Sequence, residues 1–465
     1  PHPTIERIGS LHWNAAVHPE KEAALLFKPD EKTSEKLRAQ GFTVVQSSSL
    51  DGIFRGSSVV VDLGDGLPND LILNKDVAQF ISFQKGSSNQ DYPSSLMGSI
   101  ALIRQTLDDA QWYQKAQQAY QLNPAQTKPE QNAALAALES FFSGTGKGVF
   151  AVGDELSLLR AARIAQEFGI NLIYKASGYE YRRLQPIQAL NATLIVPLSF
   201  PEAPNVATPE AEADVSLADL KTWDTAPENP GRLEKAKVRF AFTSNSLKEG
   251  DNFLEKVRES IKRGLSEKKA MAALTTVPAE ICGVSDKVGT LEKGKMANFI
   301  IASDSIFSDK AKIYTVWIRG KIFEINPKPE VDPRGTWEVT LQPNQPRIPL
   351  PQLILEVSGK IDAPEGQVIA EAETVKVAEI KIKENKIQFS LEGDSLKMPG
   401  TARFTGRIEK DKAGGMGTLG DGSNFKWSST RTKPYQEKPD TTKKEEEKVE
   451  MASFETVYPD KAFGR

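Results

Sequence analysis

Histidine is almost missing from this chain. There are three in 465 residues, His2, His12 and His18, and nothing beyond them supplies an imidazole. A catalytic zinc ion usually takes two or three imidazoles plus a carboxylate, brought together from distant strands. Cysteine is scarcer still: Cys282 is the only one, which excludes an intramolecular disulfide. That fits a cytosolic protein and equally many periplasmic ones. No apolar run reaches the roughly 18 residues that a helical membrane span requires, so no span is expected. Neither sign of charge dominates. Lys and Arg number 59 against 62 Asp and Glu, a formal net charge of -3. Bulk electrostatics therefore give no drive toward nucleic acid or an anionic membrane. No secretory signal is visible, but the chain opens on Pro1 rather than Met and stops at Arg465 after a charged stretch. A processed or fragmentary chain is expected, so the missing signal decides little.

What is present is ordinary for a folded protein: 39% hydrophobic and 26% charged residues, with length for two to four domains. Up to about residue 280, strand-like and helix-like segments alternate. Gly41–Gln46 (GFTVVQ) and Ser58–Leu63 (SVVVDL) read as strands, as do Gly148–Val152, Asn171–Lys175, Ala192–Pro197 and Val238–Thr243. Helical spacing marks Glu31–Gln40, Ser94–Gln118, Ala133–Phe142, Glu155–Phe168, Asp251–Arg263 and Ser266–Thr275. Such alternation implies parallel pairing through right-handed crossovers, and a (β/α)8 barrel of the TIM type fits the length.

From residue 285 the pattern changes. Asn298–Ala302, Tyr314–Arg319 and Ile322–Ile325 read as a small antiparallel unit, followed by the Pro-rich NPKPEVDPR. Six segments then alternate apolar and polar residues: Trp337–Leu341, Leu353–Gly359, Lys376–Ile382, Lys386–Leu391, Ala402–Ile408 and Phe425–Thr430. They predict a small barrel or sandwich of six to eight strands. Residues 433–450 are nearly devoid of apolar side chains and are expected to be a flexible charged linker. The resulting organisation is an α/β barrel domain over 1–284, a partial β-sandwich over 285–325, an all-β domain over 335–432 and a linker over 433–455.

The stretch AMAALTTVPAEICGVSDKVGTLEKGKMANFIIASD, Ala270–Asp304, resembles the amidohydrolase superfamily, the imidazolonepropionase-like metal hydrolases in particular. In that family a helix leading to an Asn-Pro-Ala turn is followed by a "vGsLe.GK.AD" segment. Tyr314–Phe323 (YTVWIRGKIF) resembles the family's closing strand, and KVRFAFTSNS falls where its final barrel strand belongs. The resemblance implies a TIM barrel with a small sandwich, a zinc cofactor and hydrolysis of C–N bonds. It also implies metal ligands at positions where this chain has none. His2-Pro3-Thr4 is not the family's His-x-His. The strands at Gly148–Gly153 and Ile173–Ser177 offer no imidazole, and the metal-binding Asp of the final strand is replaced by Asn245. An amide does not take a proton from bound water at neutral pH. No catalytic or metal-binding residue is therefore assigned, and no cofactor is expected.

Four residues remain as candidates to hold a ligand. Arg55 follows a strand in DGIFRG and suits an anion, although a turn with a solvated charge is the preferred reading. Lys175 and Tyr179 stand where the family's ligands would be, Lys175 as a cation filling a metal's place, and Asn245 closes the final strand. His12 and His18 are expected to bond locally, Ser95 to cap a helix and Cys282 to pack. Gly335–Val339 and Phe425–Arg431 are loosely similar to barrel modules attached to hydrolase-like proteins of Bacteroidetes-type bacteria. On that likeness a periplasmic or cell-envelope location is expected, with the cytoplasm also open. The leading functional reading is a non-catalytic scaffolding or regulatory domain, its partner a downstream hydrolase domain or subunit. An active metal-dependent hydrolase and a ligand-binding module are the alternatives.

Overall fold

A computed structural model describes residues 11–436, apart from 249, 310, 328–330, 344–351, 362, 371–372 and 397. Most of the linker expected over 433–455 lies outside the described residues, as does His2. The chain divides into two units, Pro1–Pro327 and Lys328–Arg465.

The strands of the first unit are β1 (Val44–Ser47), β2 (Phe54–Ser57), β3 (Val59–Asp62), β4 (Ile72–Asn74), β5 (Gln79–Ser82), β6 (Gly148–Ala151), β7 (Leu172–Lys175), β8 (Thr193–Pro197), β9 (Arg239–Thr243), β10 (Phe299–Ala302), β11 (Ile313–Ile318) and β12 (Lys321–Glu324). The main sheet runs β2-β5-β6-β7-β8-β9. From β5 to β9 every pairing is parallel, and β2 joins the β5 edge antiparallel. Eight strands in a closed ring are the expectation; the described sheet has six, with β2 and β9 at its ends. The difference begins in SVVVDL. As β3 it pairs antiparallel with β1 and β4 in a separate three-stranded sheet rather than joining the parallel set.

A second small sheet, β10-β11-β12, is antiparallel as expected. Side chains tie it to the first. Arg319 lies 2.5 Å from the buried carboxylate of Asp62 at the end of β3, and Lys321 pairs with Asp65. These two ion pairs link segments from the beginning and the end of the unit.

Parallel strands with both faces covered alternate large apolar residues on each face. Ile81, Phe150, Tyr174, Leu194, Phe240 and Phe242 pack in the main core with helices such as Glu155–Phe168 and Phe253–Lys262. The opposite face carries Phe80, Val149, Ile173, Ile195 and Ala241 in smaller clusters. Asp154 caps the Glu155–Phe168 helix by accepting from the Ser157 amide at 2.6 Å, and Gly169 ends it at φ 65°.

The second unit holds β13 (Gly335–Pro343), β14 (Leu353–Lys360), β15 (Ala363–Ala370), β16 (Glu373–Lys383), β17 (Lys386–Glu392), β18 (Thr401–Glu409), β19 (Lys412–Thr418) and β20 (Asn424–Pro434). They close into an eight-stranded barrel, antiparallel throughout. Its interior is filled by its own side chains. Phe389 stacks on Phe404 at 4.4 Å between centroids, and Phe425 and Trp427 meet Phe404 edge-on at 5.2 and 5.9 Å.

Candidate functional site

In a parallel sheet the loops leaving the carboxyl ends of the strands form the natural binding face. Here the register aligns those ends. Ser82 pairs with Ala151, and Ala151 with Lys175, so three neighbouring strands end in one row. Period-two alternation puts Lys175 on the same face as Ile173, opposite Tyr174. Ala151, small and central in the row, leaves space between its neighbours.

That space is a cavity of about 370 Å³. Ser82, Phe83 and Gln84 line it from β5; Ala151, Val152, Gly153, Asp154 and Ser157 from β6 and the following helix; Lys175 from β7; Asn245 from just beyond β9. Leu50 and Arg55 complete the wall. Three of the four candidate ligand-binding residues, Arg55, Lys175 and Asn245, are thus brought together from positions far apart in sequence. The fourth, Tyr179, is not among the lining residues. Its ring lies under the Arg182 guanidinium, 4.7 Å from the centroid.

Arg55 is not the solvated turn residue that its flanking glycines suggest. It sits within β2, 6% exposed, and its Nε donates to the Gly52 carbonyl at 2.9 Å. Gly56 has φ +87°, and a Cβ there would come within 2.1 Å of the Lys21 carbonyl oxygen. The glycine lets the 17–22 segment close over β2, bridged at Val17–Phe54 and Glu22–Ser57. That covering buries the arginine. Burial draws its guanidinium below the usual range, partly offset by the charge of Asp51.

Lys175 is half-buried, and burial lowers its ammonium from the ordinary value, with the nearby Arg55 charge adding to the shift. Among the described residues it has no hydrogen-bond or ion-pair partner. The loop behind it is held by Glu180, fully buried, whose carboxylate accepts from the Ser177 amide at 2.7 Å, the Ser177 hydroxyl at 2.8 Å, the Gly178 amide at 3.1 Å and Asn229 Nδ2 at 2.8 Å. Asn245 accepts from the Ser246 hydroxyl at 3.1 Å, leaving its amide hydrogens without a partner among the described residues.

The lining contains no imidazole and no thiol, and its single carboxylate, Asp154, is engaged in the helix cap through Ser157. Among the described residues no group of three or more His, Cys, Asp or Glu side chains converges as a metal site. His12 accepts from the Asn14 amide at 3.0 Å through Nδ1, and His18 Nδ1 lies 3.2 Å from Glu20; neither lines the cavity. Ser95 caps its helix by accepting from the Gly98 amide. Cys282 is buried in an apolar cluster, its thiol pushed up to about 11 by burial, the wrong direction for a nucleophile. No helix among the described residues is long and apolar enough to cross a membrane.

Residues 216–323 match the sequence profile of the amidohydrolase family. That match covers the last helices and strands of the first unit. An amidohydrolase from Thermotoga maritima has a similar structure: 20% identity, TM-score 0.54, covering 67% of this chain and 80% of that one. At that identity the likeness is one of fold. An ochratoxinase from A. niger aligns at 16% identity and TM-score 0.31 over 42% of this chain and 45% of its own. A redesigned β-barrel aligns over 99% of its length and 23% of this chain, at 15% identity and TM-score 0.19. No curated protein matches the chain.

Proposed function

We propose that the first unit is a non-catalytic amidohydrolase-like domain, which holds a ligand at the carboxyl ends of its parallel strands without metal-assisted hydrolysis. The observation that carries this reading is the chemistry of the cavity wall: two cations, Arg55 and Lys175, with no imidazole and no uncommitted carboxylate. Zinc is held by thiolate, neutral imidazole or carboxylate. The donors present are hydroxyls and amides, which bind it poorly. Fixed cations oppose it as well. A unit charge about 4 Å from another costs about 4 kcal/mol at an effective dielectric constant of about 20, and a divalent ion doubles that. A wall without ligands for such an ion gives it no seat from which to lower the pKa of a water, the source of the nucleophile in metal-dependent hydrolysis.

Metal analysis of the purified full chain tests this directly. After incubation with zinc and dialysis, retention below about a tenth of an equivalent is expected, with no rise in Tm on adding zinc. Near-stoichiometric zinc that survives dialysis would overturn the reading and restore the hydrolase.

A further inference from the structure

Resting on that metal-free reading, the geometry points to a specific occupant: we infer that the cavity between Arg55 and Lys175 is an anion site for a small organic carboxylate with an apolar tail. Buried cations are normally paired. Arg55 is 6% exposed, yet its only hydrogen bond among the described residues leaves through Nε to the Gly52 carbonyl. Its two outer nitrogens are uncommitted, the edge of a guanidinium that grips a carboxylate with two parallel hydrogen bonds. Asp51, whose charge acts on Arg55, and Asp154, which lines the cavity, are each held by neutral donors instead. Asp51 accepts from the Ser87 amide and hydroxyl, each at 2.6 Å, and Asp154 accepts from the Ser157 amide at 2.6 Å and hydroxyl at 2.9 Å.

Lys175 adds a second positive charge close enough to disturb its own titration through Arg55. Two like charges on one wall, neither in an ion pair among the described residues, are relieved by an anion placed between them. The Asn245 amide supplies a further donor. The remaining wall is mixed: Leu50, Phe83 and Val152 contribute apolar surface beside Ser82, Gln84, Asp154 and Ser157. An inorganic anion would leave that surface wet. A carboxylate on a short hydrocarbon chain would satisfy both parts, and a cavity of about 370 Å³ accommodates one.

The test uses the full chain, hexanoate, acetate, inorganic phosphate and hexylammonium as probes, and calorimetry with thermal melting at fixed ionic strength. Hexanoate is expected to bind and raise Tm, acetate to bind at least about threefold more weakly, and hexylammonium not to bind. Lys175→Met should weaken hexanoate at least about tenfold, and Lys175→Arg should restore it to within about threefold of wild type. Lys175 holds no other partner among the described residues, so the methionine variant is expected to fold. Binding unaffected by Lys175→Met, phosphate binding as tight as hexanoate, hexylammonium binding as well as hexanoate, or no binding by any probe would each overturn the inference. A metal-free protein that ignores hexanoate sinks the anion site alone, whereas retained zinc sinks the reading beneath it.

Discussion

The parallel sheet of the first unit and the antiparallel barrel of the second spend their interior positions in opposite ways. At the ends of β5, β6 and β7 the row lining the cavity is Ser82, Ala151 and Lys175: small, small and charged. In the barrel the inward positions are taken by aromatic and branched side chains, with Phe389, Phe404, Phe425 and Trp427 in mutual contact. One region leaves a polar cavity unfilled, and the other fills itself. Packing to that density contributes stability, whereas an unpaired buried charge and a cavity both cost it. The open cavity lies in the first unit, and each region should respond differently when its pattern is broken.

The largest effect is expected in the barrel. Phe404 is fully buried and touches three other aromatic rings. Phe404→Ala should destabilise the second unit by about 3–5 kcal/mol, the usual cost of a core aromatic lost to a cavity. Urea unfolding followed by tryptophan fluorescence, which reports the buried Trp337 and Trp427, checks it. A loss under about 1 kcal/mol would show that the barrel interior is not close-packed, and the contrast between the regions would fail.

Next comes the scaffold of the cavity. Glu180→Leu removes one buried carboxylate and strands donors on Ser177, Gly178 and Asn229. Stranded buried donors cost about 1–3 kcal/mol each, moderated by relaxation, so a loss of about 2–4 kcal/mol is expected in the transition of the first unit. Amide exchange at Ser177 and Gly178 should quicken with it. Unchanged exchange would mean that Glu180 does not hold the loop behind Lys175.

How far these features are legible in the sequence differs between the same two regions. β6, β7, β8 and β9 stand out because strands buried on both faces read as continuous apolar runs. β5 does not: Gln79-Phe80-Ile81-Ser82 is short and half polar, and its polar ends are what face the cavity and the covering segment. With β5 unread, Ser82, Phe83 and Gln84 were out of reach as site residues. Lys175 and Asn245 were within reach because the family resemblance marks strand ends. Arg55 was within reach as a residue but not as a buried one, since the segment that covers it lies over 30 positions upstream.

In the barrel, β19 is hidden by its composition, KAGGMGT. A Cβ at Gly415 would fall 2.0 Å from the Thr405 carbonyl oxygen, and one at Gly417 2.0 Å from the Phe425 ring. The strand is glycine-rich because its neighbours lie against its backbone, a tertiary demand with no local periodicity. SVVVDL, one of the strands in the alternation that predicts an eight-strand ring, has a pattern that fits a strand of either sheet.

The smallest effect has the opposite sign and bears most directly on the cavity. Lys175 is half-buried beside Arg55 and lacks a counter-charge among the described residues, so its folded-state pKa lies below the ordinary 10.5. Between those two values the unfolded chain binds more protons than the folded one, so stability rises with pH across that window. Below it the charged lysine is a constant cost. Lys175→Met removes the charge while keeping the length of the side chain. Without ligand, the variant should therefore be more stable than wild type near neutral pH, by about 1 kcal/mol. The advantage should shrink as pH climbs toward 10.5, where wild type sheds its own proton. Adding hexanoate at a concentration that saturates wild type should narrow or reverse the difference at neutral pH, because wild type gains more from the bound anion. A methionine variant that is less stable than wild type without ligand would show that Lys175 is already paired, and that the cavity wall is as self-satisfied as the barrel interior.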